Sequence, residues 1–147
     1  MKKNLVILVA LIVIIIGAIL IINQSNTPGM NKSTTTQNTF QALSAQELDK
    51  MLESKDFVLI DVHTPEQQHV PKTDYLIPYN QTETLVRAIP DKNQKVVLYC
   101  RSGNMSKIAA QELVDRGYTN IFDLNGGMKE WLGEDRETLP VGSIVAL

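Results

Sequence analysis

Apolar residues in this chain fall into short unbroken blocks, separated by stretches in which they recur at helical spacing. Phe57–Ile60 closing on Asp61, Val96–Tyr99 closing on Cys100, and Ile121–Leu124 are blocks of strand length. They do not alternate with polar residues, so both faces of each strand are expected to be covered. Ser44-Ala45-Gln46-Glu47 has the spacing of a capping box, and Leu48, Met51 and Leu52 follow as the apolar stripe of a short helix. Thr64-Pro65-Glu66 predicts another helix start, with Thr as cap and Pro at the first helical position. Tyr75–Ile77 reads as a short extended piece, and Thr82–Ile89 as a helix stopped by Pro90. Ser106–Arg116 carries helical periodicity through Ile108, Ala109, Leu113 and Val114, closed by Gly117. Gly126-Gly127 marks a turn before a final short helix, Met128–Leu132, with Trp131 inward. Strands separated by helices predict an α/β fold, a mostly parallel central sheet with helices on both faces.

The N-terminal region departs from this pattern. Leu5 to Ile22 is a run of 18 residues with no charge and no hydrogen-bonding side chain. As a helix it is about 27 Å long, close to the roughly 30 Å hydrocarbon core of a bilayer. The run is long for a signal-peptide core, and Ser25-Asn26-Thr27 is a poor cleavage site leading straight into Pro28. A buried soluble helix would show a polar face. An uncleaved transmembrane signal anchor over 5–22 is therefore expected. Lys2 and Lys3 precede the run and the next cation is Lys32, which predicts a cytoplasmic N-terminus and an exported C-terminal domain at the plasma membrane. Residues 23–39, rich in Asn, Gln, Ser and Thr around Pro28-Gly29, read as a flexible linker. The folded domain is expected over 40–140.

Charge and cysteine usage narrow the chemistry. A net charge of -2 lacks the basic surface that nucleic-acid binding demands. Cys100 is the only cysteine, so an internal disulfide and a Cys-x-x-Cys redox cycle are both excluded. His63 and His69 stand without a cysteine cluster, and no metal or cofactor is expected.

The stretch from Val96 to Lys107 carries the candidate reaction centre. A buried strand delivers Cys100 to the carboxyl edge of the sheet, where ligands bind in open α/β folds. A short polar loop and then a helix follow. A loop that curls round the sulfur converges its N–H groups there, and the helix N-terminus adds roughly half a positive charge. Such surroundings favour a thiolate and bind oxyanions. A lone cysteine is more often an inert buried thiol; the strand–loop–helix junction and the absence of an apolar residue before Met105 reverse that weighting.

At these residues the chain resembles the rhodanese family. Cys100-Arg101-Ser102-Gly103-Asn104-x-Ser106 is similar to that family's active-site loop. Leu59-Ile60-Asp61-Val62-His63-Thr64-Pro65-Glu66 resembles its first conserved strand and turn. His69-Val70-Pro71 and then Ile77-Pro78 resemble its central segment, and Gly126-Gly127-Met128-Lys129-Glu130-Trp131 its late Gly-Gly-x-x-x-Trp signature. The four motifs stand in register from about Ser44 to Trp131. Three departures stand out: Met105 lies where a cation is often found, His63 where an arginine is usual, and Pro71–Tyr75 lacks the usual small residues.

The resemblance implies a sulfurtransferase in which Cys100 takes a sulfur from a small donor anion such as thiosulfate. The resulting persulfide then passes it to cyanide or an external thiol. Arg101, Ser102, Gly103, Asn104, Met105 and Ser106 would bind the substrate. Asp61 has two readings of equal weight, an orienting group or a plain strand-terminating aspartate, and His69 reads as a structural contact. Pro140–Leu147 has no assigned role. Of the rivals, a phosphatase needs an arginine six residues after the cysteine, where Ser106 stands. The other rival is a catalytically silent rhodanese-like binding module displayed at the membrane.

Overall fold

The computed structural model describes residues 39–147. The expected anchor over 5–22, and the expected linker over 23–39 except its last residue, lie outside the described residues. Among the described residues, no helix is long and apolar enough to cross a membrane.

The three expected apolar blocks and the extended piece at Tyr75–Ile77 become four of five strands, and an unexpected short one precedes them. They are β1 (Gln41–Leu43), β2 (Val58–Asp61), β3 (Tyr75–Leu76), β4 (Val96–Tyr99) and β5 (Ile121–Leu124). They form one five-stranded sheet in the order β1-β5-β4-β2-β3, with every pairing parallel. β4 is the central strand, so Cys100 leaves the sheet in its middle, between the ends of β2 and β5. The helices are α1 (Ala45–Glu53), α2 (Thr82–Ala88), α3 (Asn104–Asp115) and α4 (Gly127–Leu132). α1 starts with the expected capping box: Ser44 Oγ accepts from the Glu47 N–H, and Glu47 Oε2 accepts from the Ser44 N–H at 2.8 Å.

Strand residues divide between two cores. Ile60, Val96, Leu98 and Ile121 face α2 and α3, with Leu85, Ile89, Ala109, Ala110 and Leu113. Leu59, Val97, Tyr99 and Leu124 face α1 and α4, with Leu48, Leu52, Met128 and Trp131. Helices on both faces, as the pattern predicts, exclude water from every central strand; each fully buried Leu, Ile or Val side chain contributes about 1.5–3 kcal/mol.

One expectation fails. No helix begins at Thr64; the chain from Val62 to Asp74 holds only a bend at Thr64–Pro65 and a turn at Pro71–Lys72. Its polar groups are taken by distant partners instead. The Glu66 carboxylate accepts from the Gly142 N–H at 2.7 Å and meets His69 Nε2 at 3.0 Å, and His69 exchanges both backbone bonds with Leu139. Tertiary pairing has overridden the local helix-start signal. The same contacts give the C-terminal segment a place: past residue 140 it returns to the sheet edge, where Ala146 bridges to Leu76.

Candidate active site

Cys100 follows β4 directly and is only 1% exposed. The next three residues turn sharply, and Gly103 takes φ +87°, a left-handed conformation that side chains resist. That turn aims the Gly103 N–H at Cys100 Sγ, 3.1 Å away. α3 then starts at Asn104, and the buried Ser106 in its first turn places its hydroxyl 3.6 Å from the same sulfur. Of the loop's N–H groups only that of Gly103 reaches Sγ, with the Ser106 hydroxyl as second donor; a cradle of amides all directed at the sulfur, as the sequence suggested, is not formed around Sγ itself. The N–H groups of the first turn of α3 have no intrahelical acceptor.

The other loop residues divide by exposure. Arg101, Ser102 and Asn104 are exposed, Gly103 is buried, and Met105 packs partly against the α2/α3 core. Met105 therefore supplies hydrocarbon rather than charge. Arg101 borders a small cavity of about 190 Å³, together with Gln67, Gln68, Met128, Lys129 and Leu132. A larger cavity of about 490 Å³ lies elsewhere, between α1 and the chain after α4, away from the sulfur.

The turn before α4 fixes the loop from behind. The Met128 N–H donates to the Cys100 carbonyl at 2.9 Å, and the Lys129 N–H to the Arg101 carbonyl at 3.0 Å. Gly127 makes this approach possible. A Cβ there would overlap the Cys100 carbonyl oxygen and sit 2.9 Å from both Arg101 C and Ser102 N, and its φ is +60°. The Gly-Gly pair read as a turn from sequence is thus a part of the site.

Asp61, at the end of β2, is fully buried but does not reach the loop. Its carboxylate accepts from the His63 N–H at 2.9 Å, meets His69 Nδ1 at 3.0 Å and accepts from Gln67 Nε2 at 3.4 Å. Burial raises its pKa above the usual 3.8, against the downward pull of those bonds. Its hydrogen-bond partners all lie within residues 63–69. His69 is buried between Asp61 and Glu66, a structural contact as expected. Desolvation holds His63 below the usual 6.5, and the Arg101 charge adds to that while Asp61 opposes it. Tyr99 closes a further ring beneath the site: its hydroxyl accepts from the Val70 N–H at 3.1 Å and pairs with Thr73 Oγ1 at 2.8 Å, which donates to the Val70 carbonyl.

Asp123 was not singled out in the sequence. It sits on β5, fully buried, with neither carboxylate oxygen hydrogen-bonded among the described residues. An aspartate inside the apolar block Ile121–Leu124 is the signal that could have marked it, since such residues are rarely buried without a partner. Among the described residues no group of His, Cys, Asp and Glu could hold a metal ion.

The parallel α/β sheet thus ends its central strand in a single buried cysteine, followed by a tight loop and the start of a helix. The family described as Rhodanese-like domain matches residues 44–134, and the chain belongs to that family. The thiosulfate sulfurtransferase GlpE of Coxiella burnetii is 28% identical over 95 residues, covering 63% of this chain and 87% of that protein. The adenylyltransferase and sulfurtransferase MOCS3 of Drosophila persimilis is 32% identical over 110 residues, covering 69% of this chain. The chain spans only about a quarter of the length of such two-activity relatives, 24% in that case. The crystal structure of a rhodanese-like domain protein from Staphylococcus aureus matches with a TM-score of 0.55 at 26% identity, covering 63% of this chain and 91% of that one. A rhodanese-related protein from Thermoplasma volcanium shares the fold, with a TM-score of 0.58 at 20% identity over 68% of this chain and 98% of that one.

Proposed function

We propose that the domain is a sulfurtransferase that carries a sulfane sulfur on Cys100, from thiosulfate or a similar donor to cyanide or a thiol. The observation that carries this reading is the pair of donors on Sγ, the Gly103 N–H and the Ser106 hydroxyl, at the N-terminus of a twelve-residue helix. The Cys100 thiolate attacks the outer sulfur of the donor. The S–S bond of thiosulfate breaks, and its electron pair leaves with sulfite. The acceptor then attacks the outer persulfide sulfur, breaking the new S–S bond and returning the electron pair to Cys100 as thiolate. Splitting the transfer in this way replaces one hard step with two easier ones.

In the first half-reaction the exposed Arg101 draws the anion toward the loop, and Ser102, Asn104 and Met105 line its approach. In the second, the outer persulfide sulfur lies beyond Sγ, where the unpaired N–H groups of the first turn of α3 stabilise its charge without giving up a proton. Asp61 supports the loop only at a distance, by holding the β2 end. With no second cysteine in the chain, the acceptor comes from outside. The 1% exposure of Cys100 and the apolar Met105 favour the rival reading, a catalytically silent binding module. Thiosulfate and cyanide given to the full chain distinguish the two: steady thiocyanate production supports the enzyme, and none above the Cys100→Ser background supports the module.

The apolar run over 5–22 supports a membrane anchor with the rhodanese-like domain on the outer face. Protease added to intact cells then releases the domain, whereas full protection until lysis contradicts this topology.

A further inference from the structure

Asp123 and Ser106 are both fully buried, on facing elements, and Ser106 touches the sulfur. Asp123 occupies the face of β5 that α3 covers, between Phe122 and Leu124, which face the other core. Its register neighbours, Ala42 on β1 and Leu98 on β4, bring no polar side chain. From α3 it is approached by the Ser106 hydroxyl and, at longer range, by the Lys107 charge; no cation lies within ion-pair distance among the described residues. Burial pushes the Asp123 carboxyl above its usual 3.8, while Ser106 and then Lys107 pull the other way. An unpaired carboxylate in such a place takes up a proton rather than keep its charge.

We propose that Asp123 is a positioning residue for the sulfur: as a neutral acid it donates its proton to Ser106 Oγ, and thereby directs the Ser106 hydrogen at Cys100 Sγ. A hydroxyl has one hydrogen and can serve one acceptor at a time. An ionised Asp123 would draw that hydrogen to itself and leave Sγ with the Gly103 N–H alone. A protonated one closes a chain, Asp123 O–H to Ser106 Oγ and Ser106 O–H to Sγ, in which each bond polarises the next. The bond from Asp123 to Ser106 is not closed in the geometry described; closing it requires a turn of the carboxyl toward Ser106 Oγ. The bearing on sulfur transfer rests on the function proposed above; the bearing on thiol reactivity does not.

Alkylation of the full chain by iodoacetamide across pH reads this directly, because Cys100 is the only thiol. Asp123→Ala slows alkylation at neutral pH by about tenfold, as expected for one lost hydrogen bond to a charged group, with the limiting rate at high pH unchanged. Ser106→Ala does the same, and the double variant adds nothing further. Asp123→Asn, which keeps an N–H donor toward Ser106 Oγ, restores most of the rate. An unchanged Asp123→Ala, or a loss that persists in full on top of Ser106→Ala, overturns the proposal. Should Asp123→Ala not fold, carboxyl carbon NMR of the unmutated chain decides: a protonated Asp123 at neutral pH supports the proposal and an ionised one overturns it. Thiosulfate loading followed in parallel separates the two claims, since normal alkylation behaviour without loading removes the sulfurtransferase and leaves Asp123's role intact.

Discussion

Asp61 and Asp123 stand on the two strands that flank β4, and both are completely buried, yet their surroundings are opposite. Asp61 is met by the His63 N–H, His69 and Gln67, and through His69 and Glu66 it is tied to the C-terminal segment. Asp123 has no hydrogen-bond partner among the described residues and faces the hydroxyl that touches the sulfur. Burial alone does not distinguish a structural carboxyl from a functional one. A group whose bonding capacity is consumed holds the fold together, and one left with spare capacity beside a reactive atom acts on that atom. Cys100 emerges between the two kinds.

The comparison depends on a loop that stays in place, and Gly127→Ala is the largest way to break it. A methyl group forced against the Cys100 carbonyl displaces the loop, and a shift of about 1 Å lowers thiocyanate production on the order of a hundredfold. The next effect sets the aspartates apart by stability. Asp61→Ala leaves His69 and the His63 N–H without their acceptor and costs on the order of 3 kcal/mol in urea unfolding. Asp123→Ala removes at most the one bond proposed to Ser106 and stays within about 1 kcal/mol of the unaltered chain. Equal losses from the two would erase the distinction.

Smaller effects sharpen the structural side. Tyr99→Phe strips the acceptor from the buried Val70 N–H and costs about 1–2 kcal/mol, with thiol alkylation unmoved. The smallest is a pH effect on the C-terminal segment. The Gly142 N–H and then His69 hold Glu66 below its usual 4.5, so its contribution is fully present above that value and is lost as pH falls toward the depressed one. The exchange protection of the Gly142 amide, relative to its intrinsic rate at each pH, should fall in acid, and Glu66→Gln should flatten that dependence.

The sheet was legible because parallel strands covered on both faces have to be written as unbroken apolar blocks. β2 and β4 are legible in that way, β5 as a block broken only by Asp123, and Cys100 stands at the end of the central strand. β1 escaped notice because an edge strand of three residues, two of them exposed, has no such pattern. The expected helix at Thr64 failed for a different reason: the acid that should sit in its first turn is taken by His69 and Gly142, the latter far along the chain. Within the site, the loop motif pointed to Cys100, Gly103 and Ser106 but not to how few of its amides reach Sγ. Gly127 and Asp123 matter through contacts across the fold, which local spacing does not carry.

Intact-mass measurement of the full chain after brief exposure to thiosulfate shows whether Cys100 takes up sulfur. The mass should rise by one sulfur atom, lost again on adding cyanide and never seen in Cys100→Ser. A chain whose mass stays unchanged, with its thiol still free to alkylate, would contradict sulfur transfer through Cys100.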